Sequence, residues 1–425
     1  MKRQDSISLA RQLWPRYAAL TGLLLVALAR TGAAQGVIAP PPVSPPIQPV
    51  YEQGQTNQLE AFQFNGPLPR VAPEAPPLQW GPVGIRPHIQ YRFLYGDGIQ
   101  VNTNQPIKTA INEISPGVLL EIGRHWTLDY TPTMTFYSSS KFSDTTAQNV
   151  TLTGGATYDD WAFGLSQNYS HTVEPLVETG AQTSQDTYST AVTATHQLSQ
   201  KMLLELAANQ EFTFPDGFTE TREWSTLDWL NYQFWPRFSA ALGAGAGYSD
   251  VDVGNDSISG QLQGRGTWQA ADKLSLQVSG GAELLHFTGG GKSDVVKPVY
   301  AASIQYQPTE ATTVSLSANG DVGTTFFTNE VSTTTGVSVT LNQRLLKKVY
   351  LTLTGGYQNT KYSATQSGVS SGRNDDTYSF NARLSTRFLK RATAAVFYQY
   401  SDNSSNEPGY SYISNQGGVE LGYAF

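Results

Sequence analysis

The chain has 425 residues and a formal net charge of −7, with 14% charged residues, 39 glycines, 22 tyrosines and no cysteine. A soluble enzyme usually carries about 25% charged residues, and an acidic chain is poorly suited to nucleic acid, so both classes are disfavoured. Without cysteine, neither disulfides nor thiol chemistry can contribute.

Residues 1–34 have the pattern of an export signal. Basic residues precede an apolar run from Ala18 to Ala29, and the small residues 32–34 follow it. The apolar run is shorter than the roughly 20 residues that a membrane-spanning helix needs. We therefore predict a signal peptide cleaved after Ala34. Removing five of the 27 basic residues and one of the 34 acidic ones leaves a mature charge of −11.

Residues 35–83 are rich in proline, as in Pro40-Pro41-Pro42. Such a segment favours extended polyproline conformation and is poorly suited to a sheet. Two interpretations remain open for it. It is either a periplasmic linker, which we favour and which would offer a contact for a periplasmic partner, or a plug inside the barrel predicted for the residues that follow.

Residues 84–425 consist of short segments in which apolar and polar residues alternate. Between positions 378 and 388, Tyr378, Phe380 and Leu384 fall on one face, while Ser379 and Asn381 fall on the other. This period of two is typical of a strand with one apolar and one polar face.

The connections between these segments alternate in length. Short turns fall near Arg124, Asp159-Asp160, Ser199-Gln200, Pro236-Arg237, Ala271-Asp272, Thr309-Glu310, Lys347-Lys348 and Lys390-Arg391. Longer polar loops include 140–147, 288–295, 363–376 and 401–412. Short turns on one side and long loops on the other are typical of outer-membrane barrels, and aromatic residues near the strand ends suit the two membrane interfaces.

The sequence thus predicts an all-β protein, a transmembrane antiparallel up-and-down β-barrel of about 18 strands, with 16 as the alternative. Such a sheet must close, because the hydrocarbon core offers no water to the backbone N–H and C=O groups. A soluble sandwich or solenoid would not explain the alternation of turns and loops. The predicted location is the Gram-negative outer membrane, with outer-membrane lipid and lipopolysaccharide as the surroundings.

The last strand places Val419, Leu421, Tyr423 and Phe425 on one face. This arrangement resembles the C-terminal signature by which the barrel-assembly machinery recognises outer-membrane proteins. We therefore predict that these four residues are an assembly signal and that the machinery is a partner.

The segments 384–388 and 394–402, together with Asn403, Asn406 and the last strand, resemble the end of the second putative β-barrel porin family. The resemblance implies an outer-membrane barrel without assigned catalytic residues, and some members of the family are associated with exopolysaccharide export. It transfers no binding residue to this chain.

The alternation also predicts which charged side chains line the lumen. The candidates are Glu121, Asp129, Glu205, Arg265, Glu283, Asp321, Arg344, Arg383, Arg387 and Glu420. Because both signs occur in similar number, the set argues against strong selectivity by charge. An equally weighted alternative is that these residues pair with one another and stabilise the wall.

No motif in the chain supports catalysis or a cofactor. Ser370 lies in a Gly-x-Ser-x-Gly spacing, but no helix is predicted after it, as a nucleophile elbow requires. Residues 289–293 lack the first glycine of a phosphate loop, and the histidines, His171 among them, have no metal-ligand spacing. A solvated turn explains the acidic residues at 250–256 better than calcium binding does.

We therefore predict a porin-like channel for passive diffusion or export, including export of an exopolysaccharide. The alternative is a non-conducting barrel that anchors a periplasmic or extracellular partner. A barrel-embedded hydrolase is a third and weaker hypothesis. No enzyme activity, cofactor or metal is expected.

Overall fold

The computed structural model describes residues 78–97, 107–176, 181–288, 294–325, 327, 330–346, 348–364, 372–389 and 391–424. The predicted signal peptide, the Pro-rich segment up to residue 77, Ser370 and Phe425 lie outside these ranges. Within them, every regular element is a strand. No helix in the described ranges is long and apolar enough to cross a membrane.

The described strands are β1 (Leu78–Trp80), β2 (Val83–Asp97), β3 (Thr109–Ile122), β4 (Trp126–Tyr137), β5 (Thr145–Tyr158), β6 (Trp161–Leu176), β7 (Ala181–Ser199), β8 (Met202–Pro215), β9 (Thr221–Trp235), β10 (Phe238–Val251), β11 (Asp256–Ala271), β12 (Leu274–Thr288), β13 (Val295–Thr309), β14 (Thr312–Thr324), β15 (Glu330–Leu345), β16 (Val349–Ala364), β17 (Asn374–Phe388), β18 (Ala392–Ser405) and β19 (Tyr412–Ala424).

The strands β2 to β19 form one closed antiparallel sheet. Each strand pairs with the next, and β19 pairs back with β2, where Glu420 lies opposite Arg92. This confirms the predicted 18-strand barrel. The short strand β1 lies within the Pro-rich segment and pairs with the start of β2, with Leu78 opposite Ile85.

Side chains along each strand alternate between the outside and the lumen. On β11, Ile258, Leu262 and Trp268 are exposed on the outer face, with Leu262 at 68%, while Gln261 and Arg265 face the lumen. An apolar outer face meets lipid, and polar inner residues hydrogen-bond across the wall. The outer surface is therefore suited to the membrane.

Short turns join the strands at one end of the barrel, which we call the turn end. Asp159, Leu346 and Leu389 adopt positive φ there, as does Gly123. Positive φ costs a leucine roughly 1–2 kcal/mol, so the neighbouring strand pairing must hold these turns. The eight predicted short turns join strands at this end, and Lys347 and Lys390 themselves lie outside the described residues.

Longer connections lie at the opposite end, which we call the loop end. The connections after β4 and β18 span 138–144 and 406–411, so they are shorter than predicted. The strands extend further because polar residues there still pair across the ladder, as Thr377 does with Asn403. Alternation of apolar and polar residues marks only the part of a strand that faces lipid. It cannot detect a strand end that extends beyond the membrane.

Candidate functional site

All ten charged residues that the sequence assigned to the lumen lie on the inward-facing side of their strands. The strands that carry them are β3, β4, β8, β11, β12, β14, β15, β17 and β19. They do not form one cluster. The structure distributes them between ion-pair networks and a more open part of the wall.

One network joins strands on both sides of the place where β19 meets β2. Arg92 Nε lies 3.4 Å from Glu420 Oε1, and Arg92 Nη1 lies 3.6 Å from Glu113 Oε2. Arg383 Nε donates to Glu420 Oε2 at 3.1 Å. The Arg92 guanidinium also lies 4.7 Å from the centroid of the Phe397 ring. These five residues form the seam network, in which two positive and two negative charges cancel.

The inward face around the seam network, on β17 to β4, is the seam wall. Arg92 is 5% exposed and Asn403 is 1% exposed, although both face the lumen. At the loop end, Leu94 and Ile111 pack with Phe397 and with Phe142, which reaches in from the connection after β4. Side chains therefore fill the lumen on this side.

A second network lies on β8 to β11. Arg265 Nη2 donates to Glu205 Oε2 at 2.6 Å and to Asn231 Oδ1 at 2.7 Å. Its guanidinium lies 4.4 Å from the Trp229 ring centroid. The indole rests on Gly243 of β10, where an added Cβ would come within 2.6 Å of the ring. The glycine is needed here because the ring occupies the side-chain position.

A third group lies near the turn end. Arg86 Nε donates to Glu121 Oε1 at 2.7 Å. The Thr131 hydroxyl donates to Asp129 Oδ1 at 2.7 Å, and His88 Nε2 lies 3.0 Å from the same hydroxyl. Arg344 and Arg387 are next to the last residues of β15 and β17, at the same end.

The inward face of β6 to β9 differs from the seam wall. A recess there is lined by Ser166, Ser189, Asn209, Glu211, Glu223 and Ser225. We call these six residues the open wall. Asn209, Glu211 and Ser225 are exposed although they face the lumen. Glu211 lies directly opposite Glu223 in the β8–β9 ladder, so two like charges face each other.

Several inward charges were not predicted from the sequence, including Arg92, Glu113, Glu211 and Glu223. Their alternation with Phe93, Phe212 and other apolar neighbours was the available signal. Arg373 at the loop end was not predicted either; it pairs with Asp375 at 2.6 Å, and its guanidinium lies 3.6 Å from the Tyr410 ring centroid. No periodic pattern marks that residue, because it precedes β17.

The residues considered for catalysis are not brought together among those described. His171 lies opposite Asp186, with Nδ1 3.1 Å from Oδ1, on the outer face next to the tilted ring pair Tyr169–Tyr188. Ser370 is outside the described residues. Within the described ranges, no group of three or more His, Cys, Asp or Glu residues is arranged to hold a metal ion.

The last strand presents Val419, Leu421 and Tyr423 on its outer face, where all three are exposed. Phe425 lies outside the described residues. The assembly role of the four residues remains a prediction.

Several solved structures are similar to this chain at low identity. The copper transporter OprC is 10% identical with a TM-score of 0.44, over 79% of this chain and 63% of OprC. The chain thus spans less than two thirds of that transporter. OccAB4 of Acinetobacter baumannii is 12% identical with a TM-score of 0.43, over 80% of this chain and 98% of that one.

OpdK of Pseudomonas aeruginosa, solved with vanillate, is 9% identical with a TM-score of 0.43, over 80% of this chain and 98% of that one. A search of curated proteins finds no match.

A family model gives the remaining comparison. The model described as "Putative beta-barrel porin 2" matches residues 260–425, from within β11 to the last residue. A closed barrel with an apolar outer face and a porin-family match is an outer-membrane protein, as the sequence predicted. The C-terminal part of this chain, residues 260–425, thus matches the porin family that its last strands resembled, and that predicted resemblance is confirmed.

Proposed function

We propose that this protein is a channel for passive diffusion of small hydrophilic solutes across the outer membrane. One observation carries the proposal: polar residues of the open wall are exposed while facing the inside of a closed sheet. Asn209, Glu211 and Ser225 are the clearest cases. An inward side chain can be exposed only if space beside it remains accessible, so the lumen is not filled on this side.

The size of the barrel supports the same function. A closed sheet of 16 to 18 strands is wide enough for an aqueous channel, whereas about eight strands leave an interior that side chains fill. The inner wall is lined largely by Ser, Thr, Asn and Gln, as the hydrogen bonds Ser317–Ser338 and Gln399–Gln416 illustrate. These groups suit water and small polar solutes better than lipid or apolar ligands.

Planar-bilayer recording tests the proposal. The purified mature protein should produce discrete conductance steps, and Asn209→Trp should lower the step size because the indole would occupy the recess. Ala208→Trp is the matched control, since Ala208 is the neighbouring residue on the outer face. Absence of steps from folded protein would contradict the proposal.

The other hypotheses have no contact among the described residues that favours them. Polysaccharide export, and anchoring of a periplasmic or extracellular partner through residues 35–83, stay predictions from the sequence. The matched family is one of porins, and no catalytic role is proposed for Ser370 or His171.

A further inference from the structure

Two connections at the loop end meet through aromatic rings. Phe218 lies between β8 and β9, and Phe327 lies between β14 and β15. Their ring centroids are 6.0 Å apart, and the ring planes meet at 87°. This is the edge-to-face geometry that aromatic pairs prefer.

The two connections begin far apart on the barrel wall. Four strands, β10 to β13, lie between β9 and β14. The five inter-strand spacings amount to about 24 Å along the sheet, at roughly 4.8 Å each. Loops standing upright on the wall cannot touch over that distance. At least one of the two connections must therefore lean inward, so the contact lies over part of the mouth of the barrel.

Local hydrogen bonds hold each ring in its turn. The Phe218 N–H donates to the Pro215 carbonyl at 3.4 Å. The Thr325 hydroxyl donates to the Phe327 carbonyl at 3.1 Å and lies 3.2 Å from the Phe327 N–H, which donates to it. Thr219 and Thr325 are buried. Hydrogen bonds and burial therefore fix the backbone of Phe218 and of Phe327 close to where the two rings meet.

The wall beneath the contact is apolar at the loop end. Leu285 and Phe287 of β12 and Val299 of β13 face inward and are buried, with Phe287 at 5% exposed. Apolar side chains on the inner face of an aqueous channel would meet water unless something covered them. Loops that lean over these strands would supply such a cover.

The contact lies across the barrel from the apolar cluster around Phe142. That cluster packs on β2, β3 and β18, and nine strand spacings around the closed sheet separate β2 from β11, beneath the contact. Within the part of the chain that the structure describes, side chains thus lie over the mouth from two opposite sides. Solutes have to pass between the covered regions to reach the open wall.

We propose that the Phe218–Phe327 pair is a strap across the mouth that sets the upper size of the solutes admitted. This inference rests on the proposed channel function. The connections 216–220 and 325–329 have five residues each, so the strap narrows the mouth with two short loops. The substrate class is therefore small polar solutes rather than long polymers.

Alanine variants test the strap. Phe218→Ala, Phe327→Ala and the double variant should each raise single-channel conductance and let larger sugars enter liposomes. The double variant should add little to either single one, because both changes break the same contact. Phe380→Ala is the control, since Phe380 loses the same volume on the outer face. Unchanged conductance and size limit in the double variant would overturn the strap.

Crosslinking tests the contact separately, because the chain has no cysteine. A Phe218→Cys/Phe327→Cys variant should react with a short bifunctional thiosulfonate and return conductance to the wild-type level. Folding of this variant is checked by its faster migration on a denaturing gel when it is not heated. Failure of the folded variant to crosslink would also overturn the strap. A wild-type protein without conductance would instead contradict the channel function. If the wild type conducts but the alanine variants have the same conductance and size limit, only the strap is contradicted.

Discussion

The seam wall and the open wall are made by the same alternation of residues, yet Arg92 and Asn403 of the seam wall are buried while Asn209, Glu211 and Ser225 of the open wall are exposed. On the seam wall, Arg92 reaches Glu420 and Glu113 and covers Phe397. On the open wall, Asn209 and its neighbours leave a recess. Strand pairing fixes which side a residue faces. Whether water reaches an inward residue depends on the neighbouring side chains that extend over it.

Side-chain length and charge explain the difference. The seam wall carries arginine, glutamate and phenylalanine, which are long enough to bridge strands, and its charges cancel. The open wall carries serine and asparagine, and its Glu211 lies opposite Glu223. Like charges repel and do not bridge, so this side stays open. Three variants compare the seam wall, the Arg265 network on β8 to β11 and the open wall by their effect on stability.

The largest effect is expected from Glu420→Ala. It removes the carboxylate that pairs with both Arg92 and Arg383 and leaves Arg92 in a buried site. Losing one partner of a buried ion pair should cost roughly 3 kcal/mol of unfolding free energy. Denaturant unfolding in detergent measures the loss. Glu310→Gln, in an exposed turn, is the control, and its free energy of unfolding should stay close to that of the wild type. Equal stability of the two variants would mean that the seam network does not stabilise the barrel.

A smaller effect is expected from Gly243→Ala. The new Cβ would come within 2.6 Å of the Trp229 ring, which must then move away from Arg265. Overpacking of this kind costs about 1–3 kcal/mol. Gly264→Ala, on the outer face of the next strand with no atom within 4 Å, is the matched control. If both variants unfold at the same denaturant concentration, the Trp229 indole does not pack between Gly243 and Arg265.

The smallest effect on stability is expected from Glu211→Gln, which should stay within about 0.5 kcal/mol because the residue is exposed and faces another carboxylate. Its effect should appear in transport instead. Removing a negative charge from the open wall should lower the permeability of cations relative to anions. Reversal potentials in a salt gradient measure this ratio. Asp402→Asn, on the outer face, should leave it unchanged, and an equal shift in both would place the permeation path elsewhere.

Much of the barrel could be predicted from the sequence, because strand alternation and turn residues are local signals. The facing of Arg265 or Arg383 follows from its neighbours along the strand. Its ion-pair partners do not follow from the local sequence. Arg92 and Glu420 are joined only because β19 closes onto β2, and no local pattern encodes that register. The insertion of Phe142 and the Phe218–Phe327 contact also depend on how loops fold over the lumen, which periodicity does not describe.

The central claim is that solutes pass along the open wall and not along the seam wall. Single cysteines at Asn209 and Asn403, in a chain that has none, test it directly. A charged thiosulfonate reagent added during bilayer recording should reduce the conductance of Asn209→Cys, since that residue is exposed in the lumen. Asn403→Cys should be unaffected, because Asn403 is buried. Block of Asn403→Cys, or no change in Asn209→Cys, would contradict the account.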